Sequence, residues 1–204
     1  MTTMTLDDAG LEAALRDLRA SAPPSVGFGA LVDAGLADRY ASIETPLGQA
    51  FVAWNSHGVS WIGRARDGAE FEARFRADVG RDIAGTDQLP ERLRRAIARR
   101  IAGDRRVRIP LDLRGHTPFE VAVWMKALEI PRGEVRPYGW IAAEIGKPKA
   151  VRAVGTALAH NPVPLVVPCH RVVGRDGSLT GYRWGTDVKK ALLETENPTV
   201  KQRR

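Results

Sequence analysis

The chain has 204 residues, of which 44% are hydrophobic and 27% charged, a composition typical of soluble globular proteins. Its longest apolar stretches, such as residues 162–167, are too short to cross a membrane, and its first residues lack the features of a signal peptide, so a cytoplasmic protein is predicted. The net charge is +7, and residues 116–204 hold 14 Lys and Arg against 8 Asp and Glu. A basic C-terminal half suits a polyanionic partner such as DNA, although a solvated basic surface explains the same charge.

Residues 1–39 are interpreted as an N-terminal extension of unknown role. Apolar residues recur there at helical spacing from Leu11 to Leu18, and the segment 21–25 interrupts that pattern. Residues 40–110 are predicted to form a first domain. Strands are expected within residues 40–62, separated by turns at 45–48 and 55–58.

Two arginine-rich helices are predicted next, over residues 69–79 and 90–102. Their arginines have two interpretations, a solvated helix face or a DNA-binding patch. The solvated face is favoured, because charged residues along a helix usually form its solvent-exposed side.

Residues 111–204 are predicted to form a second, mainly helical domain. The motif Thr117 to Glu120 is a typical helix start, with Thr as N-cap, Pro in the first turn and Glu reaching back. Two short helices are expected over residues 138–145 and 149–160. The turn between them contains Gly146, so the pair matches a helix-turn-helix.

The second of these helices carries small residues that let its backbone approach a neighbour closely. They are Ala150, Ala153, Gly155 and Ala157. Its larger apolar residues, Val151, Val154 and Leu158, are expected to face inward. The small residues indicate either tight packing inside the protein or close approach to a DNA groove. The nearby cations Lys147, Lys149 and Arg152 favour DNA.

Cys169 is the single cysteine, so no disulfide can form within the chain, and one thiol with four scattered histidines does not indicate a metal cluster. Residues 161–168 are rich in proline and are predicted to form an extended, buried strand that bends at Pro168. The bend would let His170 act on the thiol, whose ordinary pKa near ~8.5 requires a base or a positive neighbour for activation.

The last helix is predicted to start at Thr186 as its N-cap and to end before Pro198. Helical periodicity places Glu196 on the inward side of this helix. A buried carboxylate needs a partner, which is either His170 or a Lys or Arg side chain. The spacing alone leaves both alternatives open.

Several motifs around Cys169 resemble one known family. They are Pro168-Cys169-His170-Arg171-Val172, Asn161-Pro162 and Gly181-Tyr182-Arg183-Trp184-Gly185. Together they resemble the methylated-DNA–protein-cysteine methyltransferases, also called O6-alkylguanine-DNA alkyltransferases. The likeness runs from about Thr117 to Glu196, and the segment 45–48 resembles the start of the family's N-terminal domain.

The resemblance implies a two-domain α/β fold, with a small ribonuclease H-like N-terminal domain and a mainly helical C-terminal domain with a helix-turn-helix. It implies a monomer that binds the minor groove of double-stranded DNA, with no metal and no cofactor. Cys169 would accept a methyl or alkyl group from O6-alkylguanine, with O4-alkylthymine as a further candidate substrate, in a single irreversible turnover.

The resemblance also implies residue roles. His170 would be the general base, acting through a bound water, while Glu196 would hold His170 and Asn161 would brace the turn before the site. The implied substrate-binding residues are Tyr138, Val172, Tyr182, Arg183 and Trp184. Among these, Tyr138 would donate to the flipped base near N3, the main chain near Arg183 would donate to O6, and the carbonyls of Cys169 and Val172 would accept from the guanine amino group. The implied DNA-binding residues are Lys147, Lys149, Ala150, Arg152, Ala153, Gly155 and Thr156, with Arg152 filling the space that the base leaves.

Trp184 stands where the family commonly has a small residue, and we expect it to narrow the pocket against bulky adducts. Three other functions fit parts of the sequence: a non-catalytic sensor of alkylated DNA, a transcription regulator and a cysteine hydrolase. Sensors of that type lack the acceptor cysteine, which this chain has. A regulator is not supported, because no second DNA-binding module is visible in the sequence. A hydrolase is not supported either, because nothing in the sequence points to an oxyanion hole. The sensor is the main alternative.

Overall fold

The computed structural model of the protein describes residues 24–197, and the helical pattern predicted from Leu11 to Leu18 lies outside them. The first part of the described chain combines one sheet with three helices. In chain order its elements are α1 (Pro24–Asp33), β1 (Ala37–Thr45), β2 (Gly48–Asn55), β3 (Gly58–Gly63), α2 (Gly68–Val79), β4 (Asp82–Gly85) and α3 (Glu91–Ile101). Part of the segment interpreted as an extension is therefore helix and strand.

The sheet has four strands in the order β3-β2-β1-β4. Strand β2 is antiparallel to both β1 and β3, whereas β4 pairs in parallel with β1. Successive side chains of a strand point to opposite faces, so β2 serves two packing layers. Phe51 packs with Phe71 of α2, and its neighbour Val52 belongs to the larger cluster that contains Trp124 of the helical part.

The second part is mainly helical. Its elements are α4 (Pro118–Ala127), β5 (Arg136–Pro137), α5 (Tyr138–Glu144), α6 (Val151–Ala159), a 3₁₀ turn (Cys169–Arg171), β6 (Val172–Val173) and α7 (Thr186–Glu196). The predicted capping box at Thr117 and Glu120 is present at the start of α4. The indole of Trp124 donates to the carbonyl of Ala157 at 2.7 Å and joins α4 to α6.

The two parts meet along strand β3. The carbonyl of Val59 accepts from the amide of Asp112 at 2.9 Å, and the amide of Ile62 donates to the carbonyl of Pro162 at 2.7 Å. The chain is thus a two-domain α/β protein in which a small sheet part packs against a helical part. The segment around Asn161 is bonded directly to the sheet.

Two local predictions were wrong. Val151 is 39% exposed because it is the first residue of α6 and lies before the helix reaches the core. Thr186 is the first residue of α7 rather than its cap. The preceding Gly185 has a φ of 93°, a backbone conformation that glycine adopts freely, and glycine has no side chain with which to cap the helix.

None of the helices within residues 24–197 combines the length and the apolar character needed to cross a bilayer.

Candidate functional site

Cys169 lies at the start of the 3₁₀ turn, and its side chain is buried, with 4% of the residue exposed. Successive residues of a 3₁₀ turn are rotated by about 120°, so adjacent side chains need not point to opposite faces as in a strand. Cys169 and His170 are both buried as a result. The predicted bend after Pro168 is therefore present.

The segment before the bend is a buried loop, so the predicted extended strand was wrong. The amide of Val167 donates to the carbonyl of Val163, and Leu165 has a φ of 72°, which closes the chain into a turn. Asn161 holds this turn from inside. Its Nδ2 donates to Val167 O at 3.0 Å, and its Oδ1 accepts from the amide of Val163 at 3.0 Å. Proline lacks an amide donor, so Pro162 and Pro164 cannot support a strand ladder.

The same Asn161 amide group also reaches the thiol, since its Nδ2 lies 3.0 Å from Cys169 Sγ. Burial raises the pKa of Cys169 to about 11, and the Asn161 contact and the nearby Lys189 cation oppose this rise only in part. At neutral pH the side chain is therefore a thiol. Any nucleophilic reaction must remove its proton.

His170 and Glu196 are in contact, with Nε2 3.0 Å from Oε1. Arg171 binds the same carboxylate through Nε at 2.9 Å and Nη2 at 2.7 Å. Both partners considered from the sequence, a histidine and an arginine, are thus present together. Glu196 is inward, as the helical periodicity predicted, with 7% of its side chain exposed.

Burial lowers the pKa of His170, although the bond and the charge of Glu196 oppose this effect. For Glu196, burial acts to raise the pKa, but hydrogen bonds from His170 and Arg171 outweigh it and hold the pKa at about 2. The arrangement is therefore a neutral imidazole against an ionised carboxylate. Among residues 24–197, no side chain or backbone group bonds to His170 Nδ1, which leaves that nitrogen available to accept a proton.

Lys189 is a functional candidate that the sequence analysis missed. It is 1% exposed, and its Nζ donates to the carbonyls of Val172 at 2.6 Å and Thr180 at 3.1 Å. The same Nζ lies 3.4 Å from the hydroxyl of Tyr138. Burial lowers the pKa of Lys189 to about 8. The periodicity that turned Glu196 inward applies equally to Lys189, seven residues earlier, and would have identified it.

The predicted pocket residues surround this lysine and the turn. Tyr138 donates its hydroxyl to the carbonyl of Thr180 at 2.6 Å, so it is already bonded in this structure. The ring of Tyr182 lies 6.5 Å from that of His170 and 6.1 Å from that of Trp184, measured between centroids. The carbonyl of Val172 accepts from Lys189, and a carbonyl oxygen retains a second lone pair for another donor.

Arg183 differs from the other pocket residues, because its side chain points to the sheet domain. The guanidinium pairs with Asp78 of α2 and lies over the ring of Trp61, 5.5 Å from its centroid. Its main chain lies between Tyr182 and Trp184, so only the backbone of Arg183 stays beside the other residues predicted to bind the base.

The predicted DNA-binding residues lie on α6 and the turn before it. Lys147, Lys149, Arg152, Ala153 and Thr156 are exposed, and Ala150 and Gly155 are half-buried. Gly155 connects this surface to the pocket, because a Cβ at that position would lie 3.9 Å from the ring of Tyr138. A basic helix is thus adjacent to the residues around Cys169.

Within residues 24–197, no cluster of three or more His, Cys, Asp or Glu side chains has the arrangement of a metal site. The groups around Cys169 are a thiol, an imidazole, a carboxylate, an amide and two cations. They support proton removal from sulfur and nucleophilic attack by it.

Comparison with known proteins agrees with this chemistry. Residues 118–198 match the family described as 6-O-methylguanine DNA methyltransferase, DNA binding domain. The methylated-DNA–protein-cysteine methyltransferase of Methanosarcina acetivorans is 37% identical over 158 residues, which cover 77% of this chain and 97% of the relative. The bifunctional transcriptional activator/DNA repair enzyme Ada of Escherichia coli is 42% identical over 166 residues, which cover 79% of this chain and 46% of that protein.

Among solved structures, the crystal structure of Mycobacterium tuberculosis OGT in complex with DNA aligns with a TM-score of 0.61 and 33% identity, covering 78% of this chain and 93% of that one. Across several of the curated relatives that it matches, the chain spans about half of their length.

Proposed function

The chain belongs to the methylated-DNA–protein-cysteine methyltransferase family, and from that premise we propose that it repairs DNA by moving an alkyl group from O6 of guanine onto its own Cys169. The contact that carries this proposal is the one between Asn161 and Cys169, beside the His170–Glu196 pair. A lone buried thiol with a proton acceptor next to it, adjacent to an exposed basic helix, fits a nucleophile that receives a group from DNA.

The reaction proposed for Cys169 balances without a cofactor. The thiol proton passes to His170 through a bound water, and Glu196 keeps the imidazole oriented and stabilises the charge that forms. Sulfur then bonds to the alkyl carbon while the bond from that carbon to O6 breaks. The proton held by His170 then passes back through the water to the departing guanine, so the products are unmodified guanine, a thioether and a neutral imidazole. Because no group in the site can break that thioether, each molecule reacts once.

Tyr138 and Lys189 are proposed to receive the base. In the structure the Tyr138 hydroxyl donates to Thr180, so it must exchange that bond for one to the base. Lys189 can take over the Thr180 carbonyl, to which it already donates. The carbonyls of Cys169 and Val172 would accept from the guanine amino group, and the main chain at Arg183 would donate to O6.

The basic face of α6 is proposed to bind the minor groove of duplex DNA, with α5 and α6 forming a helix-turn-helix. O6 lies inside the duplex, so the base must leave the stack at a cost of roughly a few kcal/mol. Arg152 is exposed at the start of α6 and would fill the space, while Lys147 and Lys149 contact phosphates. Small residues on this face permit the close approach.

The finer features of the protein are proposed on the same basis. The mixed four-stranded sheet with α2 on one face supports a ribonuclease H-like N-terminal domain. We place the boundary between the two domains at residue 111 and assign the protein to the cytoplasm as a monomer. The limit predicted at residue 40 falls inside β1, so the first domain includes that whole strand. A non-catalytic DNA sensor is the alternative function, and the placement of Cys169 beside Asn161 and His170 argues against it.

The deciding experiment is to incubate the protein with a duplex that carries O6-methylguanine and to measure the intact protein mass. We expect a gain of one methylene, located at Cys169 by peptide mapping, and no further turnover. A Cys169→Ala variant is the control, since it should bind the duplex and gain no mass. An unchanged mass, or continued turnover, would contradict the proposal.

A further inference from the structure

We propose that α3 and the loop after it form a second phosphate-binding surface, which holds another segment of duplex DNA while α6 engages the damaged one. The residues involved lie outside the site around Cys169. Within residues 91–108 there are eight arginines and two acidic residues. The five arginines that line one shallow groove there are called the arginine face: Arg92, Arg95, Arg99, Arg106 and Arg108.

The geometry of α3 brings these cations together. Arg92, Arg95 and Arg99 are spaced by three and four residues, so they share one side of the helix over about 10 Å of its axis. The loop folds back so that Arg106 and Arg108 line the same groove, which has a volume of about 610 Å³. All five side chains belong to exposed residues. The face is therefore an open surface.

The acidic residues nearby neutralise only two of the five arginines of this face, Arg95 and Arg99. Glu91 pairs with Arg94 and Arg95, and Asp104 pairs with Arg99. Among residues 24–197, no carboxylate lies within ion-pair distance of Arg92, Arg106 or Arg108. Unpaired guanidinium groups that lie close together on an open surface repel one another. Binding of a polyanion relieves this repulsion.

Helix α2 provides the contrast. Its exposed arginine region is balanced, because Arg66 and Arg74 pair with Glu70 and Arg76 pairs with Glu72. The solvated face favoured by sequence therefore describes α2. For α3 the structure favours the other interpretation, a nucleic-acid patch.

The arginine face is also separate from the basic end of α6. Helix α3 contacts the helical part through Arg100, which donates to the carbonyl of Leu128, just after the end of α4. Lys147, Lys149 and Arg152 instead lie at the start of α6, whose C-terminal end contacts Trp124 of α4. Guanidinium groups bind phosphate irrespective of base sequence, which suits a contact made during a search along DNA.

The test uses undamaged DNA, so it does not depend on alkyl transfer. The full-length protein is bound to a short immobilised duplex, and a second, fluorescent duplex is titrated at increasing NaCl. We expect the bound protein to retain the second duplex, with an affinity that falls steeply as the NaCl concentration rises. The combined variant Arg92→Gln/Arg106→Gln/Arg108→Gln should lower the slope of log affinity against log salt by about 2 to 3, since each lost phosphate contact removes about 0.9.

Two matched variants make the result specific. Arg66→Gln/Arg74→Gln/Arg76→Gln removes the same charge from α2 and the residues just before it, and this variant should retain the second duplex. Arg92→Lys/Arg106→Lys/Arg108→Lys keeps the charge of the arginine face and should retain the second duplex too. The inference is overturned if the wild-type protein does not retain the second duplex, if the α3 glutamine variant retains it with the wild-type affinity and salt slope, or if both glutamine variants weaken retention equally. Preferential binding of poly-glutamate over duplex would likewise overturn it and indicate an acidic protein partner. A methylene gain at Cys169 in a protein that fails this test would leave the repair function standing.

Discussion

Asn161 Nδ2 lies 3.0 Å from Cys169 Sγ, so the side chain that braces the buried loop also contacts the proposed alkyl acceptor. Asn161→Ala removes both functions, leaving the amide of Val163 and the carbonyl of Val167 without their side-chain partner. We expect a loss of about 1–3 kcal/mol in the free energy of unfolding and at least a tenfold slower transfer.

Asn161→Asp separates these two effects. The carboxylate still accepts from Val163, but its charge beside the sulfur raises the pKa of Cys169 further. Transfer at neutral pH should therefore be slow even where thermal unfolding shows a folded protein. A variant with the parental single-turnover rate at neutral pH would show that the amide does not assist the thiol.

Glu196 predicts how stability depends on pH. Its pKa in the folded protein is about 2, below the ordinary value of 4.5, so the unfolded chain binds more protons between these values. Stability from this group is present above pH 4.5 and is lost as the pH falls toward 2, by about 3 kcal/mol in total. Denaturant unfolding from pH 6 to pH 2 measures the loss. Glu196→Gln should reduce this slope, whereas Glu194→Gln on the same helix should not.

We expect the buried Lys189 to make the stability of the protein depend on pH in the alkaline range. Its pKa is lowered to about 8 from 10.5, so the unfolded chain binds more protons in that range and stability from this group rises between pH 8 and 10.5. Lys189→Met should abolish this rise. It should also slow transfer by about tenfold, because the cation that opposes the raised pKa of Cys169 is gone.

Lys190→Met is the matched control for Lys189, since the adjacent side chain is exposed. It should leave both the alkaline stability profile and the single-turnover rate as they are. Equal rates in the Lys189 and Lys190 variants would remove Lys189 from the proposed site.

We expect Trp184 to limit the size of the alkyl group that the protein accepts. It is half-buried against Tyr182 at the pocket wall, and we expect it to exclude large alkyl groups. Trp184→Gly should raise the rate with O6-benzylguanine in DNA relative to the rate with O6-methylguanine by tenfold or more. The methyl rate of the same variant serves as the control. Comparable rates of the parent protein with both adducts would refute the idea.

We expect the effect of Arg152 on the transfer rate to depend on whether the damaged base is paired. If it fills the space left by the base, Arg152→Ala should slow transfer from a paired lesion by roughly tenfold, and less from a mismatched or single-stranded one, where unstacking costs less. Single-turnover rates on the three substrates measure this difference. The control Lys190→Ala removes an exposed cation outside α6, and any change in rate that it causes should be the same for all three substrates. An equal loss on every substrate with Arg152→Ala would indicate a phosphate contact instead.

The sequence alone was sufficient for the elements whose cause is local. The capping box at Thr117, the helices around the Gly146 turn and the inward side of Glu196 follow from capping chemistry and helical periodicity, which act between residues close in the chain. The motifs around Cys169 led to the family, which the comparisons confirmed.

Other features depend on side-chain contacts that the sequence pattern does not reveal. The sequence predicted a strand over residues 161–168. In the structure this segment is a turn, because the side chain of Asn161 bonds to both Val167 and Val163. Likewise, Arg171 shares Glu196 with His170, and Lys189 is buried against the carbonyls of Val172 and Thr180. The sequence analysis interpreted the two arginine-rich helices together, although their ion pairs join residues only three to five positions apart and follow largely from helical spacing. What required the folded structure is the position of Arg106 and Arg108, which the loop brings to the groove beside α3.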